Sequence, residues 1–134
     1  MATKYSLGVS TVVADILSAL QAQNLITELK YQDSTNLIFT TPLTDKVIRL
    51  YMLNSGDTTF CAYYGDAWTS GTTITNSVKI ADFKDNASNM YLVTDTTFFS
   101  LAMNKSNMRP FAYVGSFDNG DEVVFGCYNI VVIK

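Results

Sequence analysis

A chain of 134 residues with a net charge of −3 has room for one packed core and none for two catalytic lobes. Its composition, 48% hydrophobic and 16% charged, excludes a disordered tail or a collagen-like fibre; nine scattered Lys and Arg against twelve acids disfavour specific nucleic-acid binding, which needs several cations acting together on phosphates. Histidine is absent, which removes the usual general base at neutral pH, the usual neutral zinc ligand and every triad built on imidazole.

In chain order, Val9, Val13, Ile16, Leu17 and Leu20 fall on one face of a helix, so the spacing predicts a helix from Ser10 to about Gln23, with Ser10 as N-cap and Asn24 as its stop. Such a helix is too short to persist alone in water, so its apolar stripe must dock. The domain's own sheet is the first expectation and a neighbouring subunit the second. Residues 1–24 are thus read as an N-terminal arm and helix, and residues 25–134 as an antiparallel β domain. Beyond the helix, Ser, Thr and Asn, with Val, Tyr and Phe, favour strands and turns. Leu25–Gln32 alternates with a period of two, Asn36–Thr41 is a short apolar strand stopped by Pro42, and Lys46–Leu53 reads as a central strand. A turn at Asn54–Asp57 leads into an antiparallel strand at Thr58–Tyr64.

Asp66–Thr73 is expected to be a loop carrying the only Trp, and Ile74–Ile80 a strand in clean alternation. Asp82–Asn89 and Asn104–Arg109 are expected as polar turns around strands at Met90–Thr94 and Thr97–Met103. Phe111–Phe117 and Val123–Ile133 flank Asp118, Asn119, Gly120 and Asp121, where Asn-Gly accepts the positive φ angles of a tight hairpin. The predicted fold is mainly β with one N-terminal α-helix, about eight antiparallel strands in a single sandwich or rolled sheet.

No secretory signal or membrane span is expected: the amino terminus lacks a basic n-region, and Asp15 interrupts the apolar run from Val9 to Leu20. Cys61 and Cys127 each sit in an apolar or aromatic run, and reduced, core-facing thiols are preferred to a disulfide between them. Without histidine neither thiol has the usual base to make it a nucleophile. Most acids, such as Asp57, Asp85, Asp118 and Asp121, sit in turns, where solvation and backbone hydrogen bonding are the ordinary work of Asp, so no catalytic carboxylate pair is assigned. The run Asp118–Glu122 lacks the spacing of a calcium loop, and no glycine-rich phosphate motif occurs, so no metal or cofactor is expected. The remaining chemical signal is aromatic. Phe60, Tyr63, Tyr64 and Trp68 lie close together in sequence, and Trp68, in a Gly/Ser/Thr loop, suits a contact residue.

Three segments, VIRLYML, TFFSLAM and VVFGCYNIVVI, are apolar on both faces, and a domain this small has one interior, so part of that surface is expected to meet other subunits. The segment from about Leu37 to Gly126, with KVIRLYML, YYGDAWTSGTTITN, FFSLAMN and RPFAYVGSFDNGD, resembles small virion structural proteins of tailed bacteriophages. The resemblance implies a non-enzymatic tail, baseplate or head-tail connector subunit, made in the host cytoplasm, whose partners are other virion proteins and further copies of itself. On that reading the contacts are the helix at Ile16, Leu17 and Leu20, the loop at Trp68, and the hairpin at Asp118, Asn119 and Gly120, through interfaces of roughly 1,200 Å² or more. The alternative is a carbohydrate-binding module in which Trp68, Tyr63 and Tyr64 stack on a sugar while Asp66 and Asn76 take its hydroxyls.

Overall fold

The computed structural model describes residues 2–7, 12–55, 57–85, 89–104, 108–116, 122–126 and 130–133. A six-stranded sheet runs in the order β1 (Thr3–Leu7), β9 (Asn89–Thr94), β10 (Phe98–Asn104), β11 (Met108–Ser116), β12 (Glu122–Gly126) and β13 (Ile130–Ile133). A five-stranded sheet is formed by β2 (Glu28–Gln32), β3 (Asn36–Thr41), β4 (Thr44–Ser55), β5 (Asp57–Gly65) and β8 (Val78–Asp85), and a small ribbon by β6 (Trp68–Ser70) and β7 (Thr73–Ile74). All pairings are antiparallel, and the helix of the described residues, α1 (Val12–Ala22), is N-terminal, which is the mainly β sandwich class the sequence implied.

Alternation decides which side chains meet between the sheets. Leu37 and Phe39 of β3, Ile48, Leu50 and Met52 of β4, and Phe60 and Ala62 of β5 form one core with Leu92 of β9, Phe99 and Leu101 of β10, and Val114 of β11. The helix lies against β1, β3 and β9, touching both sheets, and buries Val12, Val13, Ile16, Ala19 and Leu20 in the same core. Its stripe therefore docks on the chain's own sheets. The C-terminus closes as a Schellman motif: Asn24 adopts φ 58°, its N–H donates to Gln21 O at 3.1 Å, and Leu25 N–H donates to Leu20 O at 2.9 Å. Asn24 is the stop that the sequence marked, and Ser10 lies outside the described residues.

Several boundaries differ from the sequence reading. Thr3–Leu7 is not a bare arm but an edge strand on β9, anchored by Leu7 and by Tyr5, whose hydroxyl accepts from Gln23 Nε2 at 2.6 Å. Leu25 is spent on the helix cap, so β2 begins only at Glu28. The alternating run Ile74–Ile80 is broken because Asn76 takes φ 51°, a left-handed conformation that Asn tolerates. The expected Trp loop contains the β6–β7 ribbon. Two turns are shorter than expected: β8 continues to Asp85 and β11 begins at Met108. The first is explained by position, since β8 is a sheet edge, where a polar segment can still be a strand. Val123–Ile133 forms not one strand but β12 and β13, paired antiparallel, with the turn-favouring Gly126 ending the first.

Among the described residues, one polar side chain sits unpartnered in the core. Thr94 is 0% exposed, and its Oγ1 has no hydrogen-bond partner among the described residues. A hydroxyl in that state carries an uncompensated desolvation cost of about 1–3 kcal/mol, and valine fills the same shape without it. Thr94→Val is expected to raise stability by about 1 kcal/mol in urea unfolding; a lowered midpoint would mean the hydroxyl is satisfied in the folded state.

Candidate functional site

The outer face of the five-stranded sheet carries the chemistry. The residues on this face of β2 to β8 line up across the strands in two rows. The first pairs Tyr31 with Ile38, Ile38 with Arg49, Arg49 with Tyr63, and Tyr63 with Lys79. The second pairs Asn36 with Tyr51 and Tyr51 with Cys61. Beside them the β6–β7 ribbon folds back onto the sheet, because Asp66 N–H donates to Thr75 O and Thr75 N–H to Ala67 O, each at 2.8 Å. This places Trp68 against Ile38, Val47 and Ile74, with Tyr31 and Tyr63, in a second small apolar cluster. The indole N–H is fixed by Gly71 O at 2.8 Å.

Arg49 is the centre of this face. Its guanidinium carbon lies 5.0 Å from the ring centroid of Tyr63 and 5.7 Å from that of Tyr51, both within cation–π range. Nε and Nη2 both donate to Asn36 Oδ1, at 3.1 and 3.0 Å. Asn36, 5% exposed, is itself pinned: its Nδ2 donates to Asp33 Oδ1 and to Thr35 Oγ1, at 3.2 and 3.0 Å. Asp33 also accepts from the backbone N–H of Thr35 at 2.8 Å, from that of Asn36 at 2.7 Å, and from the Tyr31 hydroxyl at 3.0 Å. Partial burial pushes the Asp33 carboxyl up, but these hydrogen bonds outweigh it and hold it at about 2, so it stays ionised through ordinary pH. The Tyr31 hydroxyl, donating to that carboxylate, is raised in turn. An ionised acid in the β2–β3 turn therefore orients an amide, and the amide orients a guanidinium on β4.

The residues singled out in the sequence fall in different places. Trp68 and Tyr63 come together on the outer face, whereas Tyr64, one residue on, points the other way and packs against the main core. Those two tyrosines therefore cannot stack on one sugar ring. Asp66 and Asn76 do meet, Nδ2 donating to Oδ2 at 2.6 Å, but Asp66 Oδ1 also takes Lys46 Nζ at 2.7 Å, and Lys46 first and then Asn76 lower its pKa. Ile16 and Leu20, offered as contacts with a neighbour, are 0% exposed and filled by the chain's own core; Leu17 is half-buried against the same core. Asp118, Asn119 and Gly120 lie outside the described residues, although β11 and β12 pair around them with Ser116 opposite Glu122. Cys61 carries a reduced thiol, buried in the outer-face row opposite Tyr51 rather than in the main core; Cys127 lies outside the described residues.

Arg49, Tyr51, Asn36 and Tyr31 were not singled out. The signal was present, because a two-residue period through VIRLYML puts Val47, Arg49 and Tyr51 on one side. The other outer face is aromatic as well: Phe98 stacks on Tyr113 at 5.4 Å and 15°, and Lys4 lies 4.8 Å above the Tyr91 ring. Between β1 and α1, a cleft of about 290 Å³ is lined by Tyr5, Ser6, Asp15, Ser18 and Ala19. Among the described residues no three His, Cys, Asp or Glu side chains gather as metal ligands, and no helix is long and apolar enough to cross a membrane. No family model matches the chain, and neither a curated protein nor a solved structure resembles it significantly.

Proposed function

We propose that the chain is a non-enzymatic structural subunit of a virion, of the tail, baseplate or connector type, which associates with further copies of itself through the outer face of its five-stranded sheet. The observation that carries the assembly reading is the composition and rigidity of that face. Tyr, Trp and Arg are the residue types enriched at the energetic centres of protein interfaces, and here Tyr31, Arg49, Tyr51, Tyr63 and Trp68 share one surface. The network from Asp33 through Asn36 fixes the guanidinium before any partner arrives, which lowers the ordering cost of association. The virion setting rests on the resemblance in sequence texture, and the non-enzymatic role on the absence of histidine and of any motif for nucleophile, metal or phosphate. Nucleic acid, membrane and cofactor have no part in this reading.

Sedimentation velocity on the full chain at rising concentration tests it. Species heavier than the 14.8-kDa monomer are expected, and a chain that stays solitary throughout contradicts it. The carbohydrate-binding reading retains one support, that Trp68 and Tyr63 pack on the same small apolar cluster. Glycan-array binding that Trp68→Ala abolishes would favour it over assembly.

A further inference from the structure

We propose that Arg49 is a carboxylate-receiving anchor, its unused guanidinium edge taking an Asp or Glu side chain of a second copy of the chain. The inference rests on the reading of the outer face as a contact between copies, and it names the group that the contact brings.

Two of the guanidinium donors, Nε–H and one hydrogen of Nη2, are spent on Asn36 Oδ1. Nη1 and the second hydrogen of Nη2 have no partner among the described residues, and together they form the parallel pair of donors that matches the two oxygens of a carboxylate. The partner on the used edge is a neutral amide. The acid behind it, Asp33, is occupied by Tyr31, Thr35 and Asn36, so no carboxylate of the described residues touches Arg49 directly. An arginine held in place by a hydrogen-bond chain, set between two tyrosine rings and partly exposed, differs from one left loose on a solvated surface. Its orientation is already fixed, so closing the remaining fork needs little further ordering.

Charge identifies the occupant. The chain carries twelve acids to nine bases and a pI near 4.6, so a second copy presents a net acidic surface, and a cationic fork is the complementary feature. Around it Tyr51 and Tyr63 shield the pair from water, which strengthens a charge-assisted hydrogen bond relative to an open surface pair.

The test has two readouts on the full-length protein. In the first, the Arg49 side-chain Nε–H resonance is followed in protein dilute enough to sediment as monomer, so that no partner carboxylate fills the fork, while sodium acetate is added, with sodium chloride at the same ionic strength as control and inorganic phosphate as a second probe. A saturable shift with acetate and none with chloride is expected. No shift, or a shift with phosphate alone, overturns the proposal. In the second, Arg49→Lys is compared with wild type by sedimentation, with the unfolding midpoint checked so that misfolding is recognised. Lysine keeps the charge but loses the fork, so self-association about tenfold weaker in a chain that still unfolds cooperatively is expected. Wild-type-like association of Arg49→Lys overturns the proposal. An acetate shift in a chain that remains monomeric removes the second copy as occupant, and with it the proposed function. Oligomers at higher concentration, with no acetate shift in the dilute monomer, overturn the carboxylate site and leave assembly standing.

Discussion

Phe39→Ala is expected to lose about 3–5 kcal/mol of folding stability in urea or thermal unfolding, a large part of what a domain of this size possesses. Phe39 is 0% exposed on β3, and its ring centroid lies 6.0 Å from that of Phe99 on β10, the planes inclined at 47°. This contact joins the five-stranded sheet to the six-stranded one. The helix flank of the core, at Ile16 and Leu20, packs in the same cluster and has no side chain to spare for the void. Truncation therefore removes buried apolar area, an aromatic contact and the filling of the space between two layers at once. A loss below about 1 kcal/mol would mean that the sheets do not meet at this ring.

The second large effect is expected at Gly65, where backbone approach rather than a turn demands glycine. A Cβ there would lie 2.5 Å from Thr75 O and 3.1 Å from the Cγ1 and Cδ1 atoms of Ile74. Thr75 O cannot swing away as a side chain does, because it accepts the Asp66 N–H that folds the β6–β7 ribbon back onto the sheet. In Gly65→Ala the ribbon must lift, which withdraws Ile74 from Ile38 and Val47 and uncovers Trp68. The expected cost is about 1–3 kcal/mol. Since Trp68 is the chain's only tryptophan, its emission reports the movement, with a shift to longer wavelength in the folded variant. Unchanged emission and unchanged stability would contradict the close approach.

How far the sequence announces all this depends on whether a signal is local. The helix is legible because its stripe and its Asn24 stop lie within one short segment, Val9 to Asn24, and β3 and β4 because strand periodicity is read along one segment. The same reading of β4 as central holds because both its faces are apolar, and β4 is indeed third of five. What fails is what the partner strand decides. Residues Thr3–Leu7 have too little pattern to read as a strand until β9 offers them a ladder. Residues 82–85 are polar enough to read as a turn until β5 pairs with them. Ile74–Ile80 shows ideal alternation, and a single left-handed Asn76 breaks it.

The candidate site is half legible for the same reason. Trp68 stands out alone, but its ribbon depends on the contact of Gly65 with Thr75, ten residues away in sequence. Arg49 looks like a mere interruption of an apolar run. Its importance comes from Asn36 and Tyr63, brought beside it from strands on either side, and from Asp33 behind them. The helix positions Ile16 and Leu20 show the converse: an exposed-looking stripe with no partner in sequence finds its partner across the fold.

The claim that the outer face of the five-stranded sheet is the contact between copies is tested most directly by sedimentation velocity on wild type and Tyr51→Ser in parallel. Tyr51 lies on that face beside Arg49 and outside the main core, so the variant should keep the wild-type unfolding midpoint. The account predicts that wild type forms a species heavier than 14.8 kDa as concentration rises, and that Tyr51→Ser at the same concentrations is displaced toward the monomer. A wild type that remains monomeric at every concentration, or a variant that assembles as wild type does, would contradict it.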